Sequence, residues 1–245
     1  MTRVAFVVGD YPSEESTRRE QVALSFATPC IEVGIIRAPV TPYFHGMTQT
    51  EMTLVAPTVI EAFHTAQEQG YDAVVPLGFL DLGVDGGRAA VDIPVIGPCE
   101  AALHIAALLG DRFGLVAYHE NQFGNLQGLV RRYGMEHQVV GWAASGFDLP
   151  DIAANHDAMV ANFVQAARML IDEKKAEVII PTGISQCPVH MKPKWLMEQL
   201  GVPVVEGIGA PIRLAGMLAD LGLKHSRRRW YKSPTYAAKR ASGRG

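Results

Sequence analysis

Apolar positions along this chain fall into two alternating periods. Short runs of about four to six residues that are apolar throughout, or alternate, read as strands, and longer stretches with apolar residues every three or four positions read as helices. In order they predict a strand at 3–8, a helix at 14–27 with Ser13 as its N-cap, a strand at 32–37 and a long loop at 39–47 holding Tyr43 and His45. A helix at 50–70 closed by Gly70 follows, then a strand at 73–77, a glycine-rich loop with Gly83, Gly86 and Gly87, and a short helix. A strand at 93–97 leads into a helix at 98–109, opened by Pro98 and ended by Gly110. The second half repeats the scheme: strand 112–117, helix 121–133, strand 137–142, helix 152–175, strand 178–181, helix 192–200, strand 202–206, a turn at 207–211 and a helix to Leu221.

Two stretches stand out because they match. Asp72-Ala-Val-Val-Pro-Leu-Gly-Phe-Leu-Asp81 and Glu177-Val-Ile-Ile-Pro-Thr-Gly-Ile-Ser-Gln186 are each a buried strand broken at Pro-x-Gly into a polar loop, with Gly78 and Gly183 at the centre 105 residues apart. In open parallel sheets ligands bind beyond the carboxyl ends of the strands, so these two loops form the two walls of one cleft. The fold class expected is α/β: two pseudo-symmetric, doubly wound parallel-sheet lobes with the active site between them. Residues 1–97 with 207–223 make the first lobe, 98–206 the second, and 224–245 a basic tail.

Composition narrows the class. With 245 residues, 48% of them apolar and 19% charged, the chain buries a large core. It holds no run of eighteen or more apolar residues and no signal-like start, so the expected setting is cytoplasmic with no membrane partner. Cys30, Cys99 and Cys187 are far apart and odd in number, which argues against a disulfide framework or a four-thiolate zinc site. Eight of the 22 Lys and Arg lie in 224–245, which has no acid, leaving fourteen bases against 25 acids elsewhere. An acidic body with one short basic tail excludes nucleic acid as the expected partner, and the tail reads as solvated or docked on the chain itself. Gly207-Ile208-Gly209 begins like a dinucleotide fingerprint but lacks its third glycine, and no cofactor is expected.

The residues Tyr71-Asp72-Ala73-Val74-Val75, Phe79, Asp81, Gly83, Ile93-Pro94-Val95-Ile96-Gly97, Glu100-Ala101-Ala102 and Arg112-Phe113 resemble those of hydantoin racemases in the aspartate/glutamate racemase superfamily. So do Val202-Pro203-Val204-Val205, Gly207, Gly222-Leu223-Lys224-His225-Ser226, Tyr231 and Pro234. The resemblance implies two α/β lobes, a homo-oligomer, no cofactor, and two cysteines that act on opposite faces of a carbon acid. Here the first cysteine position is Gly78, and the second falls at Gly183, or at Ile184 in a register shifted by one. Arylmalonate decarboxylases resemble this pattern in carrying glycine at the first position, but retain the second cysteine; maleate isomerases are also similar. Loss of both thiols removes two-base racemisation by the usual route, because each positioned acid or base accounts for roughly 10²–10⁴ in rate.

The expected activity is therefore a lyase, decarboxylase or isomerase acting on a small carboxylate-, amide- or imide-bearing molecule through an enolate-like intermediate. The amides of Gly78, Phe79 and Leu80 and of Gly183, Ile184 and Ser185 form the oxyanion cradle in this reading. The resemblance assigns Tyr118 to the substrate carboxylate, and His119 or Cys187 supplies the proton. Asp10 and Ser13 lie on the first strand-end loop, where hydantoin racemases carry an Asn-rich substrate-binding turn; Asp10 there repels a carboxylate unless protonated or paired. Asp81 holds loop geometry. Cys99, on a helical first turn, reads as packing. Two alternatives stay open: an amide or cyclic-imide hydrolase using Cys187 and His190, with Asp81, His119 or Glu120 completing any metal site, and a non-catalytic small-molecule binding protein.

Overall fold

The computed structural model describes residues 1–42 and 48–243; the expected loop residues Tyr43 and His45 lie outside them. Strand β1 (Thr2–Val8) is the centre of a parallel sheet ordered β2-β1-β3, with β2 (Ile31–Arg37) and β3 (Ala73–Val75) on its two sides. The second sheet copies it, with β4 (Phe113–Ala117) between β5 (Val139–Ala144) and β6 (Val178–Pro181), also all parallel. The expected strands around 93–97 and 202–206 shrink to single bridges, Val95 to Val74 and Val204 to Ile179. Corresponding contacts recur at the strand starts, where Asp72 N–H donates to Arg3 O and Glu177 N–H to Arg112 O, both at 2.8 Å. These two α/β units confirm the fold class read from the sequence.

Each sheet is apolar on both faces because helices cover both, which is why its strands read as continuous hydrophobic runs. On one face of the first sheet Ala5, Val7 and Val74 meet Val55, Val59, Ala62 and Phe63 of α2 (Gln49–Glu68). On the other face Val4, Phe6, Val8 and Val75 meet Ala23 of α1 (Ser13–Ser25) and the residues Ile208, Ile212 and Ala215. In the second sheet Phe113, Leu115 and Ile180 meet the helix that follows Val95, through Cys99, Ala102 and Leu103. Thus the helix that follows each edge bridge, at Val95 and at Val204, packs on the opposite sheet.

Helix ends differ from expectation for local reasons. Ser13 is the first residue of α1 rather than its cap; Pro12, at φ −47° and ψ 137°, is the residue that turns into it. Helix α2 starts after Thr48, whose hydroxyl and Glu51 form a reciprocal capping box. The short α3 (Val84–Ala90) and α4 (Pro98–Ala106) follow, and then α5 (Phe123–Arg132) after one turn of 3-10 helix at Glu120–Gln122. The long helix expected at 152–175 is two pieces, α6 (Leu149–Ile152) and α7 (His156–Asp172). Helices α8 (Pro193–Leu200) and α9 (Gly209–Asp220) complete the second half, and among the described residues no helix is long and apolar enough to cross a membrane.

The basic tail docks on the first half, and its last helix, α10 (Pro234–Ala241), was not foreseen. Arg227 and Lys232 both reach Asp92, at 2.6 and 2.7 Å, and Arg240 pairs with Glu61 and Glu68 of α2. Tyr236 Oη lies 2.7 Å from His64 Nε2. These cations therefore face acids of the same chain.

The loop after β3 is fixed from behind by Asp81, which is buried at a φ of 52°. Its carboxylate accepts the N–H groups of Cys99 and Glu100 at the start of α4, at 2.8 and 3.1 Å, and the hydroxyl of Tyr133 at 2.6 Å. Burial pushes the Asp81 carboxyl up to about 6 from an ordinary value near 4. Between those two values the native chain holds a proton that the unfolded chain has released, so this group's contribution to stability falls as pH rises through that window. Asp81→Ala is expected to cost about 1–3 kcal/mol by stranding buried donors. In chemical denaturation the gap between the parent and this variant should be larger near pH 4 than near pH 7.

Candidate active site

The two Pro-x-Gly loops face one cavity of about 730 Å³, lined from the first half by Tyr11, Pro12, Arg19, Thr48, Gln49, Val55, Gly78, Phe79, Leu80 and Leu82. From the second half come Tyr118, Asn121, Gln122, Asn125, Leu126, Asp148, Leu149, Asp151, Thr182 and Ile184. The size suits a small molecule, and the walls mix apolar side chains with a few convergent polar groups.

The loops interlock. Phe79 and Leu80, from the loop after β3, pack into the core of the second sheet with Leu115, Ile180 and Val205. Ile184, from the loop after β6, packs into the core of the first sheet with Phe6, Val75 and Ile208. Each apolar residue is preceded by its glycine; Gly78, Phe79, Thr182 and Ile184 line the cavity, and Gly183 does not. Among the described residues, the N–H groups of Gly78, Phe79, Gly183 and Ile184 donate to no protein acceptor. That of Ser185 is already used: it donates to Tyr118 Oη at 3.0 Å. The two glycines are not equivalent. Gly78 has a φ of +73° and a Cβ there would meet nothing within 4 Å, whereas a Cβ on Gly183 would lie 2.4 Å from Tyr118 Cζ and 2.7 Å from Gln186 Oε1.

Tyr118 lines the cavity, and because its oxygen accepts from Ser185, its own proton is left to donate. Burial raises its pKa, so the phenol stays protonated at neutral pH. His119 is not in this cavity. Its ring borders an adjoining open recess of about 530 Å³, where its Nε2 lies 3.4 Å from Asp148, and Asn121 and Asp148 line both spaces.

Cys187 is fully buried in the core with Phe163 and Leu196, burial holds its thiol pKa well above the ordinary range, and it lines neither space. The cause is the irregular turn Ser185–His190, which puts Cys187 in an extended conformation at φ −143° and folds its side chain inward. Cys99 is equally buried, Cys30 is exposed elsewhere, and no cysteine borders the cavity. His190 does not hydrogen-bond to Cys187; its Nε2 lies 3.1 Å from Glu15 Oε2. Among the described residues no group of three or more His, Cys, Asp or Glu is arranged to hold a metal ion. Asp10 and Ser13 are exposed and outside the cavity lining.

The sequence did not single out a buried ionic cluster behind the second loop. Arg19, with a side chain 3% exposed, donates from Nε to Glu15 Oε1 at 3.2 Å and from Nη2 to Ser185 Oγ at 2.6 Å, and its guanidinium stacks 3.7 Å over the Tyr11 ring. The Ser185 hydroxyl in turn donates to Glu15 Oε1. Although burial opposes ionisation, the hydrogen bonds from His190 and Ser185 and the Arg19 charge hold Glu15 down to about 2. An ionised carboxylate only accepts, so His190 carries its proton on Nε2. The signal lay in α1, whose buried stripe is Glu15, Ser16, Arg19 and Ala23: charged residues fill positions where a packing helix places apolar ones.

The model of the family described as Asp/Glu/Hydantoin racemase matches residues 19–215. A hydantoin racemase of Pseudomonas sp. strain NS671 is 30% identical over 183 residues, which are 74% of this chain and 72% of that protein. Allantoin racemase from Klebsiella pneumoniae has the same fold with a TM-score of 0.86 at 21% identity, covering 96% of this chain and 94% of that one. Arylmalonate decarboxylase shares the fold at a TM-score of 0.62 and 19% identity, with 93% of this chain and 96% of that one covered. With four-fifths of its length inside the family match and a curated relative at this identity, the chain belongs to the Asp/Glu/hydantoin racemase family.

Proposed function

We propose that this chain is a carbon-acid enzyme that works on a small polar carboxylate- or amide-bearing molecule without a thiol, as a lyase, decarboxylase or isomerase. The observation that carries this reading is that no cysteine borders the cavity, while glycine stands at the centre of both facing loops. The family's two-cysteine inversion needs a sulfur on each side of the reacting carbon. A side chain at residue 78 has room, but one at 183 collides with Tyr118.

What the cavity offers instead is charge stabilisation. The amides of Gly78 and Phe79 on one wall and of Gly183 and Ile184 on the other hold the oxygens of a developing enolate. Tyr118 adds a hydroxyl donor beside them. Preorganised donors of this kind typically contribute about 10²–10³ in rate each. His119, braced by Asp148 at the edge of the cavity, exchanges the proton with solvent. A single proton route suits loss of CO₂ or migration of a double bond better than inversion, which needs access to both faces.

Incubation in D₂O with malonates, maleate, hydantoins, allantoin and acidic amino acids tests the chemistry. Deuterium at a product carbon is expected, and turnover with no carbon-bound deuterium would contradict the reading. Tyr118→Phe should lower turnover about 10²–10³-fold, and His119→Ala should slow the proton step; if both left it unchanged, their roles would be wrong. Gly183→Ala should destabilise by about 1–3 kcal/mol through overpacking against Tyr118. Gly78→Ala should cost about 1 kcal/mol, the penalty of a Cβ at positive φ, and calorimetric unfolding of the pair checks the contrast.

A further inference from the structure

We propose that Arg19 is the anion anchor of the cavity, and that the molecule bound there is a carboxylate rather than a neutral cyclic imide. The inference rests on the reading above that this cavity is the reaction site, and narrows its substrate class.

Arg19 is the one cation among the described residues that line the cavity, whose walls otherwise include Val55, Phe79, Leu80, Leu82 and Leu126. A guanidinium this buried is stable only if its charge and its five N–H donors are matched. Its pairing with Glu15 is incomplete. A purely structural Arg–carboxylate pair tends to close as a two-pronged fork, but here one N–H, from Nε, meets the carboxylate. Nη2 is directed to Ser185, which Nε also reaches, and the Tyr11 side chain also hydrogen-bonds the guanidinium. Glu15 meanwhile divides its acceptor oxygens among three donors, Arg19, Ser185 and His190. Its acceptor capacity is shared, and Arg19, which lines the cavity, meets it through a single N–H.

A carboxylate in the cavity supplies the second, two-oxygen partner that Glu15 does not provide as a fork; a neutral imide brings the guanidinium no charge. The bridge through Ser185 also fixes the direction. Ser185 follows Ile184 in the second loop, and Arg19 and Ile184 both line the cavity, so the carboxylate seat combines Arg19 with the Ile184 amide. The enolate oxygen then develops toward Gly78 and Phe79. Asp148 and Asp151 line the second half of the cavity and disfavour a second anionic group there.

Two matched pairs of probes test this: N-carbamoylglycine against hydantoin, and succinamate against succinimide, each an open monocarboxylate beside its closed imide. Calorimetry on the parent chain should show at least one carboxylate bound about 10–100-fold more tightly than its imide, the range expected of a charge-assisted hydrogen bond. Arg19→Gln combined with Glu15→Gln removes both charges without stranding either, and should bring the members of each pair to near parity. Arg19→Lys should keep part of the preference. Imides bound as well as carboxylates by the parent, no carboxylate bound at millimolar concentration, or a preference that survives in the double variant would each overturn the anchor. The chemistry fails separately: a carboxylate that binds in an Arg19-dependent way but takes up no deuterium leaves the anchor standing and removes the reaction. Deuterium uptake by hydantoin that is unchanged in the double variant does the reverse.

Discussion

The exchange of one apolar side chain across the midline, Phe79 into the second core and Ile184 into the first, is the contact on which the cavity depends. Each residue is nearly fully buried, and burial of a side chain this size is favourable by about 1.5–3 kcal/mol. Neither loop reaches its conformation without the other half of the molecule. A glycine before each inserted residue lets the chain turn at the strand end, and Gly78, Phe79 and Ile184 come to line the cavity. The doubled α/β plan thus converts hydrophobic burial into two opposed sets of hydrogen-bond donors.

Behind the interlock the halves use different polar devices. The first loop is held by Asp81, which ties the start of α4 and Tyr133 to the strand end and is pushed toward neutrality by burial. The second is held by Ser185, whose N–H is bound by Tyr118 and whose hydroxyl sits between Arg19 and Glu15. One wall has a carboxyl behind it and the other a guanidinium. That asymmetry on a nearly symmetric frame gives the cavity a direction, which a molecule with an anionic end and a reacting carbon requires.

The strand-loop repeat was readable because both copies share the same apolar run and the same Pro-x-Gly break, and the doubly wound architecture followed from their alternation with helices. The edge strands at 93–97 and 202–206 were over-read, since an apolar run around Pro94 or Pro203 gives the same pattern whether it makes a ladder or one bridge. Gly78, Phe79, Leu80, Tyr118 and Ile184 were placed on the cavity wall by the same loop logic. Cys187 and His119, expected in the site as proton donors, lie outside this cavity, because a chain reading places residues on a loop but not on the side of it that faces inward. The irregular turn after Gly183 sends the thiol into the core, and His119 turns to Asp148. Glu15 and Arg19 were missed for the opposite reason: an i, i+4 acid–base pair is most often a solvated helix face, and only tertiary burial makes it a site.

The central claim is that amides from both loops face one anion. Assigned ¹H–¹⁵N NMR spectra of the protein titrated with malonate, a mimic of the enolate's paired oxygens, test it directly. The backbone resonances of Gly78, Phe79, Gly183 and Ile184 should move downfield together and saturate on one binding curve, while that of Ser185, already bonded to Tyr118, moves less. Shifts confined to one loop, or saturable binding with none of these four amides displaced, would contradict the account.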